Sequence, residues 1–205
     1  MLVKQLVLGA LSTNCYLAVD EDTRDAIVID PADNFPAIEN ALKSLEATLR
    51  AVVLTHCHFD HIGAAEKFAD QGVPIICHEK ESGSLSSPSI NLSGSFGFPE
   101  IVLYPNKTVT EGDKLTFGNT SLTVIHTPGH TVGGMSLYGE NVLFSGDTLF
   151  CGSIGRTDFP GGSFEVIADS IRNKLYILPD DTIVYSGHGE STTIGREKRE
   201  NMYVR

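Results

Sequence analysis

The segment Thr55-His56-Cys57-His58-Phe59-Asp60-His61 follows directly on the apolar run Ala51 to Leu54, and it limits the possible folds more than any other feature of the chain. Three imidazoles and a carboxylate within six positions are costly at the end of a buried strand unless something uses them. Imidazole and carboxylate together suit borderline divalent metals. Three further ligand-type residues each follow an apolar run: His130 after Leu122 to Ile125, Asp147 after Val142 to Phe144, and His188 after Ile183 to Tyr185. Strand ends gather at one edge of a layered sheet, so residues far apart in sequence can meet there. Gly129, Gly146, Gly187 and Gly189 flank them and allow the sharp turns and close backbone approach such an edge needs.

The apolar pattern around these positions orders the elements. Leu2 to Leu8, Cys15 to Val19 and Ala26 to Ile29 read as consecutive strands. Asn34 and Pro36 open a helix with Ile38, Leu42 and Leu45 on one face. A strand over Ala51 to Leu54, a helix over Asp60 to Gln71 and a buried strand over Val73 to Cys77 follow. The Ser-, Gly- and Pro-rich stretch from Ser82 to Pro99 lacks periodicity and is long for a connection, as expected either of a loop that covers a substrate or of an irregular surface loop.

From Thr108 to Ser145 strand follows strand, with Gly118-Asn119 and Gly139-Glu140-Asn141 as hairpin turns, which implies a second sheet. Ser163 caps a helix carrying Phe164, Ile167, Ile171 and Leu175 on one face, Thr182 to Tyr185 is the last strand, and Thr192 or Thr193 starts a terminal helix. The expected class is α/β (α+β), a four-layer αββα sandwich. With 205 residues, 41% of them apolar, the chain can build one sizeable core, so one domain over 1–205 is expected.

A formal net charge of -11 repels nucleic acid at long range, which argues against such a partner. No run of about 18 apolar residues and no secretion signal is present, so a cytoplasmic protein without membrane contact is expected. Cys15, Cys57, Cys77 and Cys151 lack the dense spacing of a disulfide framework and read as reduced thiols.

Taken together, H-x-H-x-D-H, Thr127-Pro128-Gly129-His130-Thr131, Ser145-Gly146-Asp147-Thr148 and Gly187-His188-Gly189 resemble the metallo-β-lactamase superfamily in order and spacing over nearly the whole chain. The resemblance implies His56, His58 and His130 on one metal, Asp60, His61 and His188 on a second, Asp147 bridging them, and Asp60 among the catalytic residues. Two divalent ions are expected, zinc foremost, with iron or manganese also suited to these donors. A shared hydroxide would be the nucleophile. His78 and His126 match no ligand position; His126 is a candidate for orienting the 127–130 loop, with a simple loop hydrogen bond as the alternative. Cys57, between two ligands, is expected to point away from the site.

Within the superfamily the chain resembles the glyoxalase II (hydroxyacylglutathione hydrolase) group most, through Asp147-Thr148-Leu149-Phe150 and the segment Gly152 to Gly162. That resemblance implies a thioesterase acting on a small anionic substrate of the S-lactoylglutathione type, with Arg156 on a substrate carboxylate. The alternative is a persulfide dioxygenase, a group that shares the fold and a similar Gly-Arg-Thr-Asp-Phe segment; it implies one iron on His56, His130 and Asp147.

Overall fold

The structure, a computed structural model, describes residues 1–95 and 99–205. Its first sheet runs β1 (Leu2–Leu8), β2 (Thr13–Val19), β3 (Asp25–Ile29), β4 (Thr48–Val53), β5 (Ile75–His78) and β6 (Lys107–Val109), each beside the next. The β1-β2-β3 pairs are antiparallel and the β3-to-β6 pairs parallel. Helix α1 (Phe35–Ser44) links β3 to β4, and α2 (Phe59–Ile62) with α3 (Ala65–Asp70) links β4 to β5. A 3-10 turn at Glu79–Glu81 leads into α4 (Ser82–Leu85).

The second half begins with β7 (Lys114–Phe117), β8 (Thr120–His126), β9 (Met135–Gly139) and β10 (Val142–Gly146). A small hairpin of β11 (Leu149–Phe150) and β12 (Ser153–Ile154) precedes α5 (Phe164–Ser170). Then come β13 (Ile183–Ser186), β14 (Thr192–Thr193) and α6 (Ile194–Glu200). The second sheet has the order β14-β13-β10-β9-β8-β7.

Strand alternation explains the layering. In β3, Ala26 and Val28 face a cluster with Ile38, Leu42 and Phe68 of the helices, while Ile27 and Ile29 face a second cluster with Leu122, Val124 and Phe144 of the other sheet. A third cluster packs Leu143 and Val184 against Ile167, Ile171, Leu175 and Ile194. Three apolar seams separate four layers, which is the expected αββα sandwich. The Glu140-Asn141 turn has φ of 49° and 60°, the conformation a two-residue hairpin requires. Among the described residues no helix is long and apolar enough to cross a membrane, and all four cysteines are free.

Several elements differ from the sequence expectation. The helix expected over 60–71 breaks between α2 and α3, because Ala64 donates its N–H to Pro31 O at 2.8 Å and Gly63 is pressed against Ala32 O. Thr108 pairs with Cys77 in the first sheet instead of opening the second. Asn106 clamps this junction, donating to Ile75 O at 2.9 Å and accepting from Ile75 N at 2.8 Å. The helix capped by Ser163 passes into a π-type turn at Ile171–Leu175, and Phe164, expected on its apolar face, is 44% exposed.

The 82–99 stretch, of which residues 96–98 lie outside the described residues, starts as α4. Asn91, fully buried, ties it together by donating to Leu85 O and Ile101 O. Its carbonyl accepts from Phe59 N at 2.8 Å, so the segment is pinned to the start of α2.

Candidate metal centre

The seven sequence-predicted residues meet at one edge of the two sheets. His56 and His58 follow β4, Asp60 and His61 lie in α2, His130 follows β8, Asp147 follows β10, and His188 follows β13. Two triads result, His56/His58/His130 and Asp60/His61/His188, each with ligand atoms within 4.8 Å of one another. Asp147 lies between them: its Oδ2 is 3.6 Å from both His130 Nε2 and His188 Nε2, and its Oδ1 is 3.3 Å from His61 Nε2. His58 Nδ1 and His130 Nε2 converge to 2.9 Å.

Most of these imidazoles turn one nitrogen inward because the other is already engaged. His61 Nδ1 is 2.9 Å from Asp30 Oδ2, His130 Nδ1 is 2.6 Å from Arg156 O, His188 Nδ1 is 3.2 Å from Leu11 O, and His56 Nδ1 is 3.1 Å from Thr55 Oγ1. Such partners fix ring orientation for a metal. Thr55 is itself held by Asp30, which accepts from its N and Oγ1 at 2.7 and 2.6 Å. Around His188, Asn14 donates to Ser186 O and Gly189 O, and Thr13 donates to Asp60 Oδ2 at 3.0 Å.

The donors fit a divalent cation on an independent test, the bookkeeping of buried polar atoms. His56 Nε2 is buried without a hydrogen-bond partner, and His61 Nε2 and Asp147 Oδ1 are buried with only each other, 3.3 Å apart, to face; native proteins seldom leave such groups unsatisfied. Gly187 keeps the space open, since a Cβ there would lie 2.1 Å from Asp147 Oδ1.

Charge divides the two triads. Burial, reinforced by the neighbouring imidazoles, holds His58 down at about 3 and His56 well below its usual value. Burial pushes His61 the same way, but Asp147 and Asp60 overcome it and raise it well above the ordinary histidine range. His188 is raised against its burial by the hydrogen bond to Asp60 and the charge of Asp147. Burial favours protonation of both carboxylates, yet His61 above all holds Asp60 at about 2 and Asp147 well below its usual value.

A cavity of about 360 Å³ opens over this cluster. His58, Asp60, His130, Asp147 and His188 line it, together with the apolar Leu11, Phe59, Leu92, Phe150 and Phe159. Arg156 also lines it, but its guanidinium is committed: Nε and Nη2 donate to Asp158 at 2.9 and 2.7 Å, and the group lies 4.2 Å from the Phe159 ring centroid. Cys57, fully buried, directs its N–H to Glu81. His126 spans its loop through Nε2 to Val132 O at 3.1 Å, and His78 stacks on it at 4.1 Å, away from the cluster.

The sequence reading missed Asp30, Thr13, Asn14, the role of Thr55, and Leu11, Phe59 and Phe150 of the apolar wall, whereas Leu92 and Phe159 fall in the 82–99 and 152–162 stretches that it placed at the substrate. Asp30, although overlooked, carried the same signal as Asp147, a carboxylate directly after an apolar strand.

The sequence model of the metallo-β-lactamase superfamily matches residues 8–188. This chain belongs to that superfamily. Among its relatives, the hydroxyacylglutathione hydrolase GloC of Haemophilus influenzae is 37% identical, covering 100% of this chain and 98% of that protein. The solved structure of BLEG-1, a B3 metallo-β-lactamase, superimposes with a TM-score of 0.93 at 41% identity over 99% of both chains. ETHE1 from Myxococcus xanthus gives 0.84 at 32% identity, over 100% of this chain and 84% of that one. Superfamily membership and the clustered imidazole and carboxylate donors describe a metal-dependent hydrolase.

Proposed function

We propose that the chain, acting as a single domain over 1–205, is a binuclear thioesterase that cleaves S-acylglutathione-type thioesters. One observation carries this reading: two triads of metal-type donors flank one shared carboxylate at the base of a pocket with an apolar wall. The likeness to a hydroxyacylglutathione hydrolase supports the choice of substrate class.

His56, His58 and His130 would hold one ion and Asp60, His61 and His188 the other, with Asp147 serving both. Bound divalent ions supply a hydroxide nucleophile near neutral pH and polarise a carbonyl. Asp60, held ionised with its pKa at about 2, stays an acceptor toward water at the base of the pocket, and Thr13 fixes its Oδ2. Leu11, Phe59, Leu92, Phe150 and Phe159 exclude bulk water and take the acyl group. Apart from the candidate ligands, the only ionisable side chain among the described lining is Arg156, which cannot act as a general acid at neutral pH. A thiol leaving group with pKa of about 8.5 departs without much protonation, whereas an amine would need an acid.

Metal content per chain measured beside S-lactoylglutathione hydrolysis tests the reading. About two ions per chain with thioester cleavage is the expected result. One iron per chain with oxygen uptake on glutathione persulfide would sink it and favour the dioxygenase alternative.

A further inference from the structure

Glu81 is a carboxylate with no solvent exposure and, among the described residues, no lysine, arginine or histidine paired with it. Burying such a charge is expensive unless hydrogen bonds to it offset the lost hydration. Two backbone N–H groups hold it, Cys57 N donating to Oε1 at 2.9 Å and Gly133 N to Oε2 at 2.7 Å, and the Cys57 thiol also hydrogen-bonds to it. Cys57 stands between His56 and His58, and Gly133 lies three residues beyond His130. One side chain therefore joins the two segments that carry the first triad, and it does so from the 3-10 turn after β5, an element that supplies no ligand.

We propose that Glu81 is a positioning residue for the His56/His58/His130 metal site, setting the distance between the 56–58 segment and the 127–134 loop. This rests on the assignment of those three histidines to one ion. A carboxylate suits the task because both its oxygens only accept, so it can take an N–H at each end; an amide must turn an NH2 toward one of them. Gly133 has no room for a side chain, since a Cβ there would lie 2.5 Å from both Glu81 N and Glu81 Oε2, so the loop is seated against the backbone of the turn as well as its carboxylate. The second triad has no hydrogen bond to Glu81 and takes its supports from Asp30, Leu11 and Thr13.

The test is a chelator-competition titration of zinc into the metal-stripped full-length wild type, Glu81→Gln and Glu197→Gln, with the visible spectrum of the cobalt(II)-loaded proteins as a second readout. Glu197 is a matched control: equally buried, it accepts from Gly152 N, Thr192 Oγ1 and Asn201 Nδ2 away from the ligands. The expected result is that Glu81→Gln weakens one binding step about 10- to 100-fold, the size typical of lost supports around a ligand. The other step and both steps of Glu197→Gln should stay at wild-type strength, and the cobalt spectrum should change only in the Glu81 variant. If Glu81→Gln does not fold, Gly133→Ala pushes the loop off the carboxylate from the opposite side and should give the same one-step loss. Wild-type affinities and spectrum in the Glu81 or Gly133 variant overturn the proposal, and so does parallel weakening of both steps in the Glu81 and Glu197 variants, which marks a general loss of stability. A wild type that takes up no zinc overturns the ligand assignment itself, a failure visible before any variant is made.

Discussion

His56, His58 and His130 form a triad of imidazoles alone, buried enough that His56 and His58 stay neutral, whereas Asp60, His61 and His188 mix a carboxylate with two histidines whose pKa values are raised. The first triad presents lone pairs ready for a metal. The second holds protons that a metal must displace, so its affinity should fall more steeply as pH drops. Two sites a few ångströms apart thus differ because the first is short of anions and the second is rich in them.

The largest effect should come from Asp147, which both triads share. Asp147→Asn is expected to lower thioesterase kcat/KM by about 1000-fold, roughly 4 kcal/mol of barrier, and to leave fewer than two ions per chain. Full metal content with near-normal turnover would break the picture of two coupled sites.

Next in size is Asp30→Asn, which removes the partner of His61 Nδ1. A loss of about 10- to 100-fold in affinity at the second triad alone is expected in a metal titration. Equal weakening of both sites would mean that Asp30 acts mainly through Thr55 and His56.

A smaller effect is a pH dependence of opposite sign in the metal-stripped protein. Unfolded histidines titrate near about 6.5, above the folded His58 at about 3. The first triad's contribution is therefore full above the unfolded value and lost as pH falls toward the folded one. His61 and His188 are raised on folding, so theirs is full below the unfolded value and lost as pH rises through the folded ones. Asp60 and Asp147, held low, add to the acid-side loss below about 4. Thermal melts of chelated protein should show His58→Asn flattening the acid limb and His61→Asn the alkaline limb; the same change in both variants would remove the distinction.

The smallest effect is expected at the rim. Because Arg156 is exposed and already paired with Asp158, Arg156→Ala should raise KM by about fivefold at most, with kcat little changed. A kcat loss of the size expected for Asp147 would place Arg156 in the chemistry, through the His130 contact to its carbonyl.

How much could be read from the chain varied with the kind of interaction. The seven candidate ligands were legible because polar side chains are conspicuous after apolar strands, and the αββα layering because the order of elements, α/β then β-rich then α/β, implies two sheets between helices, with an unbroken apolar run such as 26–29 suited to a strand buried on both faces. Lys107–Val109 was not placed correctly, since three residues carry no signal for which sheet they join and the Asn106 clamp on Ile75 decided it. The break between α2 and α3 was equally hidden, because it depends on the approach of Ala32 to Gly63 across the packed layers. Asp30 and Glu81 are single carboxylates whose partners lie 25 or more and 24 or more residues away.

By itself, then, the sequence determined the candidate donor set, the order of apolar runs and helical faces that builds two sheets between helices, and the strand ends on which the candidate donors stand. These follow from local periodicity and side-chain chemistry, which survive in one dimension. Tertiary structure decided which nitrogen of each histidine faces inward, which carboxylates hold the rings, and that Arg156 meets Asp158 at the rim of an apolar pocket. Those outcomes depend on hydrogen bonds and charge distances between elements remote in the chain, and such distances exist only once the layers have packed.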